Sequence, residues 1–243
     1  MPTARLFSRC ALLLLASLLP TAARAAFDDT PDWSVDGDTA GLLFGGVVST
    51  AGDVNGDGHS DLLVAAPIYD APGVTNCGQV RLYLGGAGGP ASTAAWILTG
   101  TVVEGRLGTS LSYAGDVNAD GFDDVIVSEP GYGSGIGRAR LFLGSAGGLP
   151  AVHDQVIVGA QVGQRLGSSV AGVGDVNGDG YDDVAIGSSN YTNGQTNEGR
   201  AQVYLGIPGG LGALAAWSRE GNVADAYFGG VMAAAGDVNG DGY

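Results

Sequence analysis

The stretch 52–61, Gly-Asp-Val-Asn-Gly-Asp-Gly-His-Ser-Asp, decides the fold. It returns at 115–124 as GDVNADGFDD, at 174–183 as GDVNGDGYDD and from Gly236 to Tyr243 as GDVNGDGY. The first acid of each copy is Asp53, Asp116, Asp175 and Asp237, so the motif recurs at a nearly constant interval. A second marker, aromatic-Leu-Gly, ends at Gly85, Gly144 and Gly206. Each of these stands at one fixed distance before the next loop's first acid, Asp116, Asp175 or Asp237. All length variation therefore falls in one connection per repeat. Self-similarity of this kind marks a stacked supersecondary unit rather than a single irregular domain.

The rest of each repeat reads as four short strands. A run of small residues precedes each Asp loop, as in 108–115 and 167–174, and an apolar run follows it, Leu62 to Ala66, Val125 to Val127 and Val184 to Ile186. Such continuous runs suit a strand covered on both faces. Alternating strands come next at 79–84, 138–143 and 200–205. Fourth strands begin at Trp96, Gln155 and Trp217, and Trp33 to Gly37 has the same character. Four short antiparallel strands per repeat predict an all-β fold, a β-propeller of four-stranded blades. The expected blades are 44–100, 107–159 and 166–221. Residues 228–243 start another, and 33–37 form an orphan strand expected to close a last blade outside this sequence, so the chain reads as a truncated propeller at 26–243.

Residues 1–25 read as a signal peptide. Arg5 and Arg9 precede the apolar run Ala11 to Leu19, and Ala23-Arg24-Ala25 is a small-x-small cleavage signal. The apolar run is shorter than the roughly 20 residues that span a bilayer, and no other segment approaches that length. An exported protein is expected: secreted, at the cell surface or periplasmic. Cys77 is then the one cysteine of the mature chain, which excludes a disulfide scaffold. The full chain of 243 residues carries 45 Gly, ten Arg, no Lys and a net charge of −15. That charge excludes a nucleic-acid footprint.

The acids concentrate in the loops with metal-ligand spacing. In the first loop Asp53, Asn55, Asp57 and Asp61 hold positions 1, 3, 5 and 9, with the backbone carbonyl of His59 at position 7. The second loop offers Asp116, Asn118, Asp120, Phe122 (carbonyl) and Asp124; the third Asp175, Asn177, Asp179, Tyr181 (carbonyl) and Asp183. The fourth shows Asp237, Asn239, Asp241 and Tyr243. A glycine at position 6 permits the sharp turn, and all-oxygen ligands favour Ca²⁺ over zinc or copper. An EF-hand fits less well, since position 12, where that motif has Glu, is Val64, Val127 and Ile186. A single Asp-Asn-Gly loop is also a common metal-free turn, but four copies in register point to calcium staples.

Phe44-Gly45, the loop 52–58, Asp61, Ala65-Ala66-Pro67 and Gly78 together resemble the FG-GAP repeat of the integrin α-subunit propeller. The resemblance covers about 33–243. It implies a seven-bladed propeller in the intact protein, with calcium in loops on one face and ligand contacts on the other. The later repeats depart from it, with Leu107-Gly108 and Leu166-Gly167 for Phe-Gly, and Ser128-Glu129-Pro130 and Gly187-Ser188-Ser189 for Gly-Ala-Pro. FG-GAP propellers also occur in bacterial exported proteins, in lectins and beside hydrolases.

The expected function is a calcium-binding adhesion or ligand-binding module for protein or glycan. The alternative is the propeller domain of an extracellular polysaccharide-acting enzyme whose catalytic part lies elsewhere. Tyr69, Tyr132 and Tyr191, each at the same offset from the first Asp of its loop, lie on the face opposite the metal loops. They either stack a ligand or pack their own connections. No nucleophile–base pair, GxSxG or HExxH motif supports catalysis, and His59 and His153 have loop and surface roles in this reading.

Overall fold

A computed structural model describes residues 32–38, 41–238 and 240; the leader at 1–25 and Asn239, Asp241 and Tyr243 lie outside them. The unit Trp33–Tyr243 contains three four-stranded antiparallel sheets in series. The first is β1 (Val47–Gly52), β2 (Asp61–Ala66), β3 (Gln79–Tyr83) and β4 (Trp96–Thr99), paired in that order. The second is β5 (Leu111–Gly115), β6 (Asp124–Glu129), β7 (Arg138–Phe142) and β8 (Gln155–Val158), with a helical turn, α1 (Tyr132–Gly135), between β6 and β7. In the third, β9 (Leu166–Gly174), β10 (Asp183–Ser188) and β11 (Arg200–Tyr204) are followed by a small hairpin, β12 (Gly206–Ile207) with β13 (Gly210–Leu211). Strand β14 (Trp217–Glu220) completes that sheet. The chain is all-β, and the sheets are propeller blades.

The continuous apolar runs form the second strand of each blade because both of its faces are covered. In β6, Val125 and Val127 enter a core with Ala51, Leu63, Val80 and Leu82 of the first blade. Ile126 between them enters a second core with Val170, Val184, Ile186 and Tyr204 of the third. Alternation along the strand thus welds one blade to both neighbours. Phe142 closes the first core, its ring edge-on to Trp96 of the preceding blade with centroids 5.0 Å apart. Leu107 and Leu166, which replace the family's Phe, are buried in these cores, so the substitution keeps the apolar plug.

The first strand of each blade is an edge strand, and its free N–H groups need acceptors. Serines on the preceding blade supply them. Ser110 Oγ accepts from the Val170 N–H at 3.0 Å, Ser112 Oγ from Gly172 at 3.2 Å and Ser169 Oγ from Met232 at 3.0 Å. Small inner strands are thereby laced together in sequence order.

Residues 33–37 are not a strand. Among the described residues no neighbour offers them a ladder, so the expected orphan strand remains irregular. Trp33 nonetheless stacks edge-on against Tyr83 at 5.4 Å and donates to the Ala91 carbonyl. Trp96 does the same to Phe142 and the Pro150 carbonyl one blade later. The segment therefore sits on the first blade as β4 sits on the second. At the other end, Phe228 bridges Gly199 in parallel as Leu166 bridges Gly137.

Candidate metal centre

The Asp loops connect the first and second strands of each blade, and all three complete copies fold alike. In the first, Asp53 Oδ1 accepts from the Asp57 N–H at 3.0 Å and Oδ2 from Gly58 at 2.7 Å. Asn55 Oδ1 accepts from the same Asp57 N–H, and Asp57 Oδ1 accepts from His59 at 3.0 Å. The second loop repeats this through Asp116, Asn118 and Asp120, with Phe122 donating to Asp120. The third repeats it through Asp175, Asn177 and Asp179, with Tyr181 donating to Asp179. Positions 1, 3 and 5 thus turn inward on one side of a tight loop. Within the fourth, Gly240 donates to Asp237 Oδ1 at 2.6 Å, as Gly178 does to Asp175 at 2.7 Å; its Asn239, Asp241 and Tyr243 are outside the described residues.

The ninth-position acids begin the second strands and are buried: Asp61, Asp124 and Asp183 are 2 %, 0 % and 0 % exposed. Each accepts two backbone N–H groups. Asp124 Oδ2 takes Val117 and Oδ1 takes Gly144, both at 2.9 Å. Asp61 takes Val54 and Gly85, and Asp183 takes Val176 and Gly206. These bonds explain the aromatic-Leu-Gly marker. Its glycine delivers an N–H to the ninth acid where the backbone runs against the loop. A Cβ on Gly144 would overlap the Asp123 carbonyl oxygen and lie 2.8 Å from that of Val54.

Burial pushes Asp124 up to about 7, opposed by its two N–H donors and reinforced by the charges of Asp116 and Asp120. Asp61 and Asp183 are raised in the same way, burial first, with the first- and fifth-position acids of their own loops adding to it. The three carboxylates of a loop therefore feel one another. Asp57 is held low, chiefly by the Asn55 amide and then by the His59 N–H.

This donor set fits a hard divalent cation. It is entirely oxygen, and every acid oxygen bonded to one N–H keeps a second lone pair. Among the described residues no three His, Cys, Asp or Glu side chains stand close enough to hold an ion by themselves. Each loop instead interleaves its acids with an asparagine amide.

One pair of residues escaped the sequence reading. Asp123 and Asp182, at position 8, reach back to the preceding loop. Asp123 Oδ2 accepts from the Asp53 N–H at 2.6 Å while the Asp123 N–H donates to the Asp53 carbonyl at 3.2 Å. Asp182 makes the same exchange with Asp116, at 2.9 and 3.2 Å. The only signal is the doubled Asp that the second and third loops have and the first lacks.

On the opposite face the tyrosines pack their own connections. The Arg138 guanidinium lies 3.8 Å from the Tyr132 ring centre and that of Arg200 3.9 Å from Tyr191, covering one face of each. Tyr69 lines a small cavity with Phe44, Gln79 and Arg81. Residues 131–137, rich in glycine, form a hydrogen-bonded turn in which Gly137 donates to the Tyr132 carbonyl at 3.0 Å. Glu129, the departure from Gly-Ala-Pro, is fully buried between Arg138 and Arg140. His153 is half-buried with its ring edge-on to Phe142. Cys77 is free and buried. No helix among the described residues is long and apolar enough to cross a membrane.

The FG-GAP repeat family matches residues 44–84, 107–142 and 166–204, one copy for the first three strands of each blade. Integrin alpha-IIb of Mus musculus is 38 % identical over 160 residues, 63 % of this chain and 15 % of that protein. Integrin alpha-4 of Xenopus laevis is 35 % identical over 156 residues, again 63 % and 15 %. Integrin alpha-PS2 of Drosophila melanogaster is 35 % identical over 171 residues, 64 % and 12 %. The chain thus spans less than a sixth of these relatives' length. With its three matched copies each lying on one four-stranded sheet, the chain is an FG-GAP repeat protein similar to integrin α-subunits.

Proposed function

We propose that this chain is an exported, calcium-binding propeller segment that serves as a ligand-binding or adhesion module for protein or glycan, not as an enzyme. The repeated loop geometry carries this reading: three loops, one hydrogen-bond pattern, one oxygen donor set. Ca²⁺ would be held by Asp53, Asn55, Asp57, the His59 carbonyl and Asp61, by their counterparts in the second and third loops, and by Asp237, Asn239, Asp241 and Tyr243. The ion would supply the positive charge that clustered carboxylates need and the cross-linking that a disulfide-free exported β-protein lacks. The fixed phase between marker and loop, and the glycine of that marker, serve the cage.

The ligand face is the opposite end of the blades. A cleft of about 880 Å³ opens there, lined by Pro67, Ile68, Val102, Arg106, Arg165 and Asn190 among others. Arg106 is paired with Glu104 at 3.1 Å, whereas the exposed Arg165 guanidinium has no partner among the described residues. An unpaired cation beside aliphatic walls suits recognition of a ligand, and the covered tyrosines do not offer an open stacking ring. Calorimetric titration with CaCl₂ tests the metal, and protein and glycan arrays probed in calcium test the ligand. Array binding lost in Arg165→Glu and kept in Arg219→Glu, an equal charge change on the outer strand β14, supports the module. A flat array together with polysaccharide-degrading activity overturns it in favour of the enzyme domain.

A further inference from the structure

We infer that Asp123 and Asp182 are positioning residues that couple successive calcium loops, so that the sites load cooperatively along the chain. This rests on the calcium reading above and adds the communication between sites. Asp123 lies between two ligands of the second loop, the Phe122 carbonyl and Asp124. Its carboxylate and its N–H together clamp both backbone groups of Asp53, the first ligand of the first loop. Asp182, between Tyr181 and Asp183, clamps Asp116 in the same way. An ion that fixes positions 7 and 9 of one loop therefore fixes position 8, and through it the first ligand of the loop before.

The contact is built into both sides. A Cβ on Gly52 would overlap Asp123 Oδ2 and lie 2.6 Å from Tyr113. One on Gly115 would overlap Asp182 Oδ2. The glycines that open the first and second motifs thus leave room for the next blade's acid. A further tie runs alongside, since the Ser145 N–H after β7 donates to the Val54 carbonyl at 3.0 Å. Ordering a residue's backbone is among the larger costs of forming a binding loop, so pre-ordering the first ligand raises affinity. Coupling of this kind between sites is typically about 5–150-fold, and by linkage it is reciprocal.

Calcium titration by calorimetry tests it on the whole chain, comparing wild type with Asp123→Ala, Asp123→Asn and Asp182→Ala. Wild type is expected to show a Hill slope above one. Each alanine variant removes one of the two clamps, so it lowers that slope at unchanged stoichiometry and weakens its upstream loop by about 5-fold or more. Asn, which keeps an acceptor oxygen, recovers part of it, and Ser60→Ala, the eighth residue of the first loop, keeps the wild-type slope. Amide hydrogen exchange gives a second readout if the alanine variants fold poorly. Asp120→Asn, which disables only the second loop's fifth ligand, should lower calcium-dependent protection of the Asp57 and Gly58 amides in the first. Full stoichiometry with a slope of one, or equal protection of those amides in Asp120→Asn, overturns the coupling while leaving calcium binding in place. Absence of any binding heat removes the calcium reading, and the coupling with it.

Discussion

Replacing Gly144 by alanine should cost about 2.5–6 kcal/mol, the sum of an overpacking penalty and a lost hydrogen bond to a buried acid. Yet a methyl group is the smallest possible addition. The new Cβ would press on the Asp123 carbonyl, the Val54 carbonyl and Phe122 Cβ at once. Two of these are backbone atoms of loops that are themselves held by hydrogen bonds, so neither can swing aside. Overpacking of this kind costs about 1–3 kcal/mol. The shift needed to relieve it pulls the Gly144 N–H from Asp124 Oδ1, now 2.9 Å away. A hydrogen bond to a buried charged group contributes about 1.5–3 kcal/mol. For a domain of this size the total lowers Tm by roughly 5–24 °C. Differential scanning calorimetry reads it, with Gly147→Ala as control, since a Cβ there meets nothing closer than 3.7 Å. If Gly144→Ala melts within about a degree of Gly147→Ala, the marker glycine has another purpose.

Ala119 sits in the left-handed region at φ 56°, where the first and third loops have glycine at φ 71° and 74°. Ala119→Gly should stabilise the chain by about 0.5–1 kcal/mol, the left-handed strain less the entropy glycine loses; a fall in the urea midpoint would contradict this. Phe142→Ala empties the core between the first two blades and should cost about 3–5 kcal/mol, and a loss under about 1 kcal/mol would show that the blades do not share that core.

Much of the fold is legible because the repeat fixes phase and the blades bury both faces of their second strands. Val125, Ile126 and Val127 must all be apolar when each points into a different core from its neighbour. The loop ligands are legible for the same reason, since spacing alone brings positions 1, 3 and 5 together. What escapes the sequence lies in contacts between strands and between blades. Asp123 meets Asp53 from the next repeat, and no local pattern announces the contact. Glu129 looks like an eroded motif until Arg138 and Arg140 close on it. Residues 33–37 have a strand's composition but no ladder, because strand formation needs a neighbour as well as a pattern.

The most direct measurement is the melting temperature of the intact chain in EDTA and in calcium. With affinities in the extracellular range, about 10⁻⁴–10⁻³ M, about 10 mM Ca²⁺ adds roughly 1.4–2.7 kcal/mol per loop. Three loops should then raise Tm by roughly 10–30 °C, reversibly on chelation. Identical melting curves in the two buffers would contradict calcium stapling outright.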